Sequence, residues 1–396
     1  MYKRLENEST DELIYRICSE KAQIGTWQHV ANIINELTGD DFGEGTYRKK
    51  YQSFQKMLNA NQSKFVDSDA QLREIELQKR ELEKAKVKLQ TEKLEYNRWL
   101  REDARDELIM EQIINAVKTL KPLSIPQEIN LHASKRDYAL LFGDEHYGVE
   151  FELHDLYGNT LNKYSPEIFE QRMWLLLHKT LEIIEKENID ELHVFNMGDF
   201  SDGCLRVSQL MKLRYGVVDG TIKYADFICN WLNELTKYVR VKFQMTDGNH
   251  TELRQLGQPK GTFVEDNMGK VVREFIKVRL KDNPNFIFIE NPTGYIYAQL
   301  ACSTFLGIHG EVKNMANAMK EFSQIYGVNI DYLAAGHLHH GRSEEVGVRS
   351  EVINIPSIIG IDSYSLSLRK TSNAGAKLLV FDNIDGLVCE HKIKLN

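Results

Sequence analysis

Cysteine is scarce in this chain: five in 396 residues, at positions 18, 204, 229, 302 and 389, with no C-x-x-C pair. That count excludes a disulfide-stapled secreted scaffold and fits unpaired thiols in a reducing cytoplasm. Long apolar runs are missing too. No segment approaches the ~20 residues that a membrane-spanning helix needs, and the opening Met-Tyr-Lys-Arg-Leu-Glu-Asn-Glu leads into polar residues rather than a signal h-region. The expectation is a cytoplasmic protein with no membrane partner. Basic excess is also absent: 50 Lys and Arg stand against 58 Asp and Glu, a net charge of -8. A generally basic nucleic-acid coat is thereby excluded, while a local basic face is not. Between residues 67 and 120 there is no glycine or proline at all, which removes the usual breakers from that stretch.

What is present is 42% hydrophobic residues, enough for a sizeable core and more than one domain. Residues 1–66 read as a small helical domain. Ser9 and Glu12 form a capping-box signal ahead of Leu13, Ile14 and Ile17 on one helical face. Thr26 caps a second helix carrying Trp27, Val30, Ile33, Ile34 and Leu37, stopped by Gly39. Thr46 is placed to cap a third that begins Tyr47, Arg48, Lys49, Lys50. Three short helices, the last opening on an aromatic and basic cluster, match a helix-turn-helix module. Tyr47, Arg48, Lys49 and Lys50 are its candidate DNA contacts. A charged helical docking domain is the competing reading.

Residues 67–120 are rich in Glu, Lys, Leu and Arg. Ile75, Leu82, Leu89 and Tyr96 fall seven apart, with Leu72, Ala85, Trp99 and Leu100 beside them. A long helix with a heptad seam follows, and a homodimer through this arm is expected. The companion row Lys79, Lys86, Lys93 leaves the seam half polar. Lys121–Pro126 breaks the helix, and residues 121–136 form a linker.

From 137 to 396, short apolar strands alternate with helical stretches, as in a layered α/β domain. Five strands end in chemistry-bearing turns: Asp144-Glu145-His146, Gly198-Asp199, Gly248-Asn249-His250, His309-Gly310 and Gly336-His337-Leu338-His339. Open α/β sheets bind ligands at the carboxyl ends of their strands, so these groups can share one crevice. Two Asp, one Asn and four His, apart from His250, suit two borderline divalent cations, since imidazole favours Mn, Fe, Zn or Ni and carboxylates add charge. A histidine met singly is more often a core or surface residue, and His29, His132, His154, His178, His193, His340 and His391 take that reading. The joint placement of the other five at strand ends does not.

The order and spacing of these motifs resemble the calcineurin-like metallophosphoesterase family over residues 137–396. The resemblance implies a four-layer α/β/β/α sandwich preceded by the small all-α module and the long helix. It also implies that Asp144, His146 and His339 hold one divalent ion and Asn249, His309 and His337 the other, most readily manganese, with Asp199 bridging. His250 would be the general acid, and Asp199, Asn249 and His250 the catalytic set. Family members commonly follow Gly-Asn-His with an acidic residue, whereas Thr251 stands here with Glu252 one position on. The segment Gly148–Tyr164 exceeds a plain strand-to-helix loop and is placed to shape the substrate side. Arg206 and Arg254, near the motifs, are candidate phosphate contacts. The segment from Thr26 to Tyr51 is similar to helix-turn-helix segments opening phage proteins of Gram-positive hosts, which would place the protein in a host cytoplasm.

Two functions follow as expectations. One is a dinuclear-metal phosphodiesterase or nuclease acting on DNA, resembling in layout the family's DNA-repair nucleases. The other is a DNA- or recombinase-binding regulator, a recombination directionality factor for a serine integrase, in which hydrolysis is incidental. A protein phosphatase is the weakest reading.

Overall fold

A computed structural model describes residues 2–61, 78–93, 111, 113–132, 134–202, 211–252, 267–367, 369 and 372–396. Arg206 and Arg254, and the heptad positions Leu72, Ile75, Tyr96, Trp99 and Leu100, lie outside the described residues. Contacts divide the chain into two compact units, Met1–Asp103 and Ala104–Asn396.

Residues 2–61 of the first unit form helices α1 (Thr10–Ser19), α2 (Lys21–Ile24), α3 (Trp27–Thr38) and α4 (Glu44–Ala60). The Ser9–Glu12 capping box forms, and Thr26 caps α3, which stops at Gly39 with φ 78°. The last helix starts two residues before Thr46, behind Gly43, because Glu44 in its first turn complements the positive helix end. Leu13, Ile14, Ile17, Val30, Ala31 and Ile34 fill the core together with Tyr47. The reading of Tyr47 as a DNA contact is therefore corrected: its ring is buried and its hydroxyl donates to Asn35 Oδ1 at 2.6 Å. Arg48 pairs with Glu44 and Lys50 with Asp11, all on the surface, and Lys49 is exposed. Residues 78–93 are helical and exposed throughout, Leu82, Val87 and Leu89 included.

The second unit is built on two sheets. Its strands are β1 (Arg136–Phe142), β2 (Phe151–His154), β3 (Thr160–Tyr164), β4 (Glu191–Asn196), β5 (Arg240–Met245), β6 (Phe286–Phe288), β7 (Ile296–Leu300), β8 (Ser303–Ile308), β9 (Tyr332–Ala335), β10 (Arg342–Gly347), β11 (Ser350–Asn354), β12 (Gly375–Asp382) and β13 (Gly386–Lys394). Its helices are α5 (Pro166–Glu187), α6 (Val217–Leu235), α7 (Met268–Leu280), α8 (Met315–Tyr326) and the single-turn α9 (Ser363–Ser367). One sheet runs β13-β12-β1-β4-β5-β6 and the other β10-β11-β9-β8-β7. The segment 148–164 is not an open loop but contains the β2–β3 hairpin, its turn held by Asp155, whose Oδ1 accepts from the Tyr157 and Asn159 amides.

The alternation of side chains along each strand assigns its two faces. On β1, Leu140 and Phe142 pack toward α5, α6 and α7, whereas Ala139 and Leu141 face the other sheet. Between the sheets, Phe195 stacks on Phe305 with centroids 5.1 Å apart. Ala318 and Met319 of α8 cover the far side of the second sheet over Leu306, Leu333 and Val352. The result is a helix/sheet/sheet/helix sandwich, the four-layer fold expected from the sequence. Ile113, Val117, Leu120 and Leu123 also pack on the first-sheet core. The chain after the break is tied down, with Asn233 donating to the Ser124 carbonyl and Asn285 to that of Gln127. The end of the arm and the linker thus belong physically to the second unit. Among the described residues no helix is long and apolar enough to cross a membrane.

If the inter-sheet layer carries the stability of this unit, Phe195→Ala lowers it by about 3–5 kcal/mol in urea unfolding. Leu156→Ala, in the fully exposed hairpin turn, shifts it by no more than about 0.5 kcal/mol. Equal effects would contradict the layering.

Candidate metal centre

Each candidate ligand stands just past the carboxyl end of a strand. Asp144 and His146 follow β1, Asp199 follows β4, Asn249 and His250 follow β5, His309 follows β8, and His337 and His339 follow β9. In the first sheet β1, β4 and β5 are neighbours; in the second, β8 and β9 are. The turns are bonded to one another: the Asp144 amide donates to the Gly198 carbonyl at 2.9 Å and the His146 amide to that of Asp199 at 3.1 Å. Asp144, His146, Asp199, His337 and His339 all have φ between 43° and 63°. They are half of the ten non-glycine residues with positive φ among the described residues. Such backbone costs about 1–3 kcal/mol per residue and persists where surrounding structure enforces it, typically at functional sites. At Gly248 the constraint is steric, since a Cβ there would lie 1.9 Å from Asp199 Oδ1.

Among the described residues three groups of candidate ligand atoms lie within 4.8 Å of one another: Asp144 with His146 and His339, Asp199 with His309 and His337, and, sharing His146, Asp202 with His250; the first two consist of expected ligands. In the first, His146 Nε2 and His339 Nε2 are 3.2 Å apart, and His339 Nε2 lies 3.6 Å from Asp144 Oδ1. In the second, His309 Nε2 stands 2.9 Å from Asp199 Oδ2, 3.1 Å from Asn249 Oδ1 and 3.2 Å from His337 Nδ1. Donors each about 2.1 Å from a shared ion and at right angles would stand about 3 Å apart. The convergence of nitrogen and oxygen lone pairs on two points at that spacing fits two divalent cations. The fold brings together the seven residues that the sequence singled out.

Charge is finely balanced there. Burial disfavours protonated His309 and His339, yet Asp199 and Asp144 outweigh it, raising His309 to about 9 and His339 to about 10. Burial likewise works against the two carboxylates, but the facing imidazoliums hold Asp144 and Asp199 below the usual carboxylate range. His146 and His337 are lowered, by burial first and then by the neighbouring His250 and His309 respectively. Each set therefore pairs one neutral imidazole with one imidazolium–carboxylate pair.

Three carboxylates were not singled out from the sequence. Asp202 accepts from His250 Nδ1 and lies 3.8 Å from His146 Nδ1. It orients His250 through that hydrogen bond, whereas Thr251, the residue after Gly-Asn-His, bonds back to the Gly248 carbonyl at 3.0 Å. Its signal was its position three residues beyond Asp199, within one turn. Asp362 stands 3.6 Å from His339 Nδ1. Glu145 is wholly buried beneath the site, accepting from Asn196 Nδ2 at 2.7 Å and from the Tyr224 hydroxyl at 2.8 Å. Burial pushes it up to about 8, so it is a neutral packing and hydrogen-bonding group. Asp247 forms a two-pronged pair with Arg273 that anchors the turn to α7. For His250, burial opposes protonation, but Asp199 and then Asp202 prevail and raise its pKa. The Asp199 carboxylate accepts the His250 amide at 2.8 Å.

Ligands must shed their protons to bind a cation. Because His309 and His339 hold theirs up to about 9 and 10 in the metal-free protein, affinity should climb with pH. Between pH 6 and 9 each ion should gain up to about tenfold per unit. Calorimetry with manganese in buffers of differing ionisation enthalpy should record about two protons released per chain at pH 7. Affinity independent of pH would contradict these assignments.

A family model described as the YonJ N-terminal domain matches residues 1–66, and one described as the YonJ coiled-coil domain matches residues 78–120. Over its whole length the chain is 34% identical to an SPbeta prophage-derived uncharacterized protein, YonJ, of Bacillus subtilis strain 168, covering 98% of that protein. Solved structures overlap the chain more distantly. A dimetal phosphatase from Danio rerio matches 66% of this chain and 99% of its own at 11% identity, with a TM-score of 0.34. Zinc-bound Vps29 from Entamoeba histolytica matches 65% and 99% at 13% identity, with a TM-score of 0.30. The fold stands on the sheet order and layers above, and the full-length likeness fixes the lineage: the chain belongs to the YonJ family.

Proposed function

We propose that this chain is a phosphodiesterase of phage type that hydrolyses DNA with two divalent cations, manganese foremost, held by Asp144, His146, Asp199, Asn249, His309, His337 and His339. The observation that carries the reading is the convergence of two ligand sets beside a histidine that Asp199 and Asp202 both contact. When bound, such cations polarise a phosphoryl oxygen and acidify a water. The chain's own residues supply the rest. Asp202 accepts the Nδ1 proton of His250, which orients the ring and leaves Nε2–H as the group that would meet the leaving oxygen. Nε2 stands 4.0 Å from Asp199 Oδ2, at the edge of the ligand set. Asp199 and Asp202 raise its pKa against burial, and donating that proton to the departing alkoxide would complete the cleavage. Asn249 adds an oxygen to the second set without adding charge. DNA as substrate is supported by the helical N-terminal unit and by the prophage origin of the relative.

The arm supports self-association. Leu82 and Leu89, seven residues apart, are 72% and 67% exposed, and apolar side chains at heptad spacing gain by burial against a second helix. The same exposed arm favours the second reading, a regulator that binds a recombinase. Integrase-dependent excision that survives Asp199→Asn but fails on removal of residues 67–120 would establish it over the enzyme.

Manganese-dependent cleavage of single- or double-stranded DNA tests the main reading. His250→Ala should lower kcat about 10²–10⁴-fold while two ions still bind. Asp202→Asn should cost about 10–100-fold. It should also move the alkaline fall of the rate to lower pH, since it removes a group that raises the His250 pKa. Undiminished cleavage by His250→Ala would overturn the proposal. For the arm, Leu82→Glu with Leu89→Glu should convert a dimer to a monomer in sedimentation; an unchanged mass would exclude dimerisation through this seam.

A further inference from the structure

The ligand sets form one wall of a cavity of about 330 Å³ whose other wall has different chemistry. That second wall is made by Val149 and Phe151 at the start of the hairpin, Lys212, Ile359, and Ser363 and Tyr364 at the start of α9. These positions are held together by backbone and side-chain bonds. The Glu150 amide donates to the Lys212 carbonyl at 3.0 Å, and the Arg214 amide to that of Gly148 at 2.8 Å. Lys212 Nζ reaches across to Ser363 Oγ at 3.4 Å. The Tyr364 ring lies beside the ligand His339, centroids 6.5 Å apart, and remains 48% exposed. The Phe151 ring is fixed by stacking on Tyr164, centroids 5.9 Å apart. Among the described residues, Lys212 is the one lysine or arginine lining the cavity, which Asp199, Asp202 and Asp362 also line.

From this we infer that the site takes an unpaired nucleotide unit, with Tyr364 and Phe151 offering aromatic surfaces to the base and Lys212 a cation to the phosphate chain. The inference rests on the phosphodiesterase reading and names what that site recognises. Size and chemistry point the same way. A cavity near the small end of the ~300–1,000 Å³ range for ligand sites holds one nucleotide, whereas bases stacked within a duplex are out of reach until extruded. Aromatic side chains stack on any base irrespective of sequence. The substrate class is therefore a nucleoside phosphodiester whose base is free, from a single strand or from a small nucleotide. Tyr364, Phe151 and Lys212 are the specificity-determining residues.

Calorimetry on the manganese-loaded full chain tests this with thymidine 5′-monophosphate against inorganic phosphate. The nucleotide should bind at least tenfold more tightly. Tyr364→Ala should cut that ratio roughly five- to hundredfold, the range for losing one base–aromatic stack, and Tyr364→Phe should retain it. Equal affinity for the two probes, or a ratio unmoved by Tyr364→Ala, overturns the inference. Initial rates then separate the sources: faster turnover of oligothymidylate or of cyclic thymidine monophosphate than of a blunt duplex supports it, and equal turnover of the duplex overturns it. Nucleotide preference without hydrolysis of any diester removes the phosphodiesterase reading and leaves the nucleotide pocket standing. Hydrolysis of simple diesters without the preference removes the pocket alone.

Discussion

Two buried carboxylates set the terms for the second unit. Asp144 and Asp199 are almost wholly removed from solvent, and an ionised carboxylate there is costly unless opposite charge or hydrogen-bond donors compensate it. Without cations the compensation comes from protonated His339 and His309 and from the amides of His337 and His250. The same imidazoles are the groups a cation would claim. A cation bound there would replace those protons on the same side chains.

Holding the carboxylates there dictates much of the surrounding architecture. The five positive-φ residues need turns locked at both ends, and the sandwich supplies them through adjacent strands whose bonds end at the site. Ala139, Leu141 and Phe195, packed between the sheets, make the strand ends rigid platforms. Behind the ligands, His309 Nδ1 is fixed by the Met197 carbonyl at 2.9 Å, leaving Nε2 to face the centre. Asp202 does the equivalent for His250. The orientation of His309 and His250 is in this way set from behind by hydrogen-bond partners.

Much of the centre was legible in the sequence because its chemistry is concentrated in short turns after apolar strands. Asp144, His146, Asp199, Asn249, His309, His337 and His339 could be read out by residue type and position alone. Local signals also placed α5, whose Ser165 cap and Pro166 start it. What stayed hidden depends on contacts far apart in the chain. Asp362 reaches His339 from 23 residues away, and nothing near it marks a turn for catalysis. α7 was not singled out, since Gly269 and the Val271-Val272 pair weaken its helical pattern, although Asn267 caps it. Tyr47 looked like a surface aromatic beside three basic residues, yet the bundle needed a large side chain in its core. Periodicity gave the right helix and the wrong face for that residue.

The central claim is that these seven side chains hold two cations around Asp199. Anomalous diffraction at the manganese edge from crystals grown with manganese tests it most directly. The expected result is two peaks per chain about 3.5–4 Å apart, one beside Asp144, His146 and His339 and the other beside Asn249, His309 and His337. A fully loaded protein with a single peak, or with peaks away from Asp199, would contradict it.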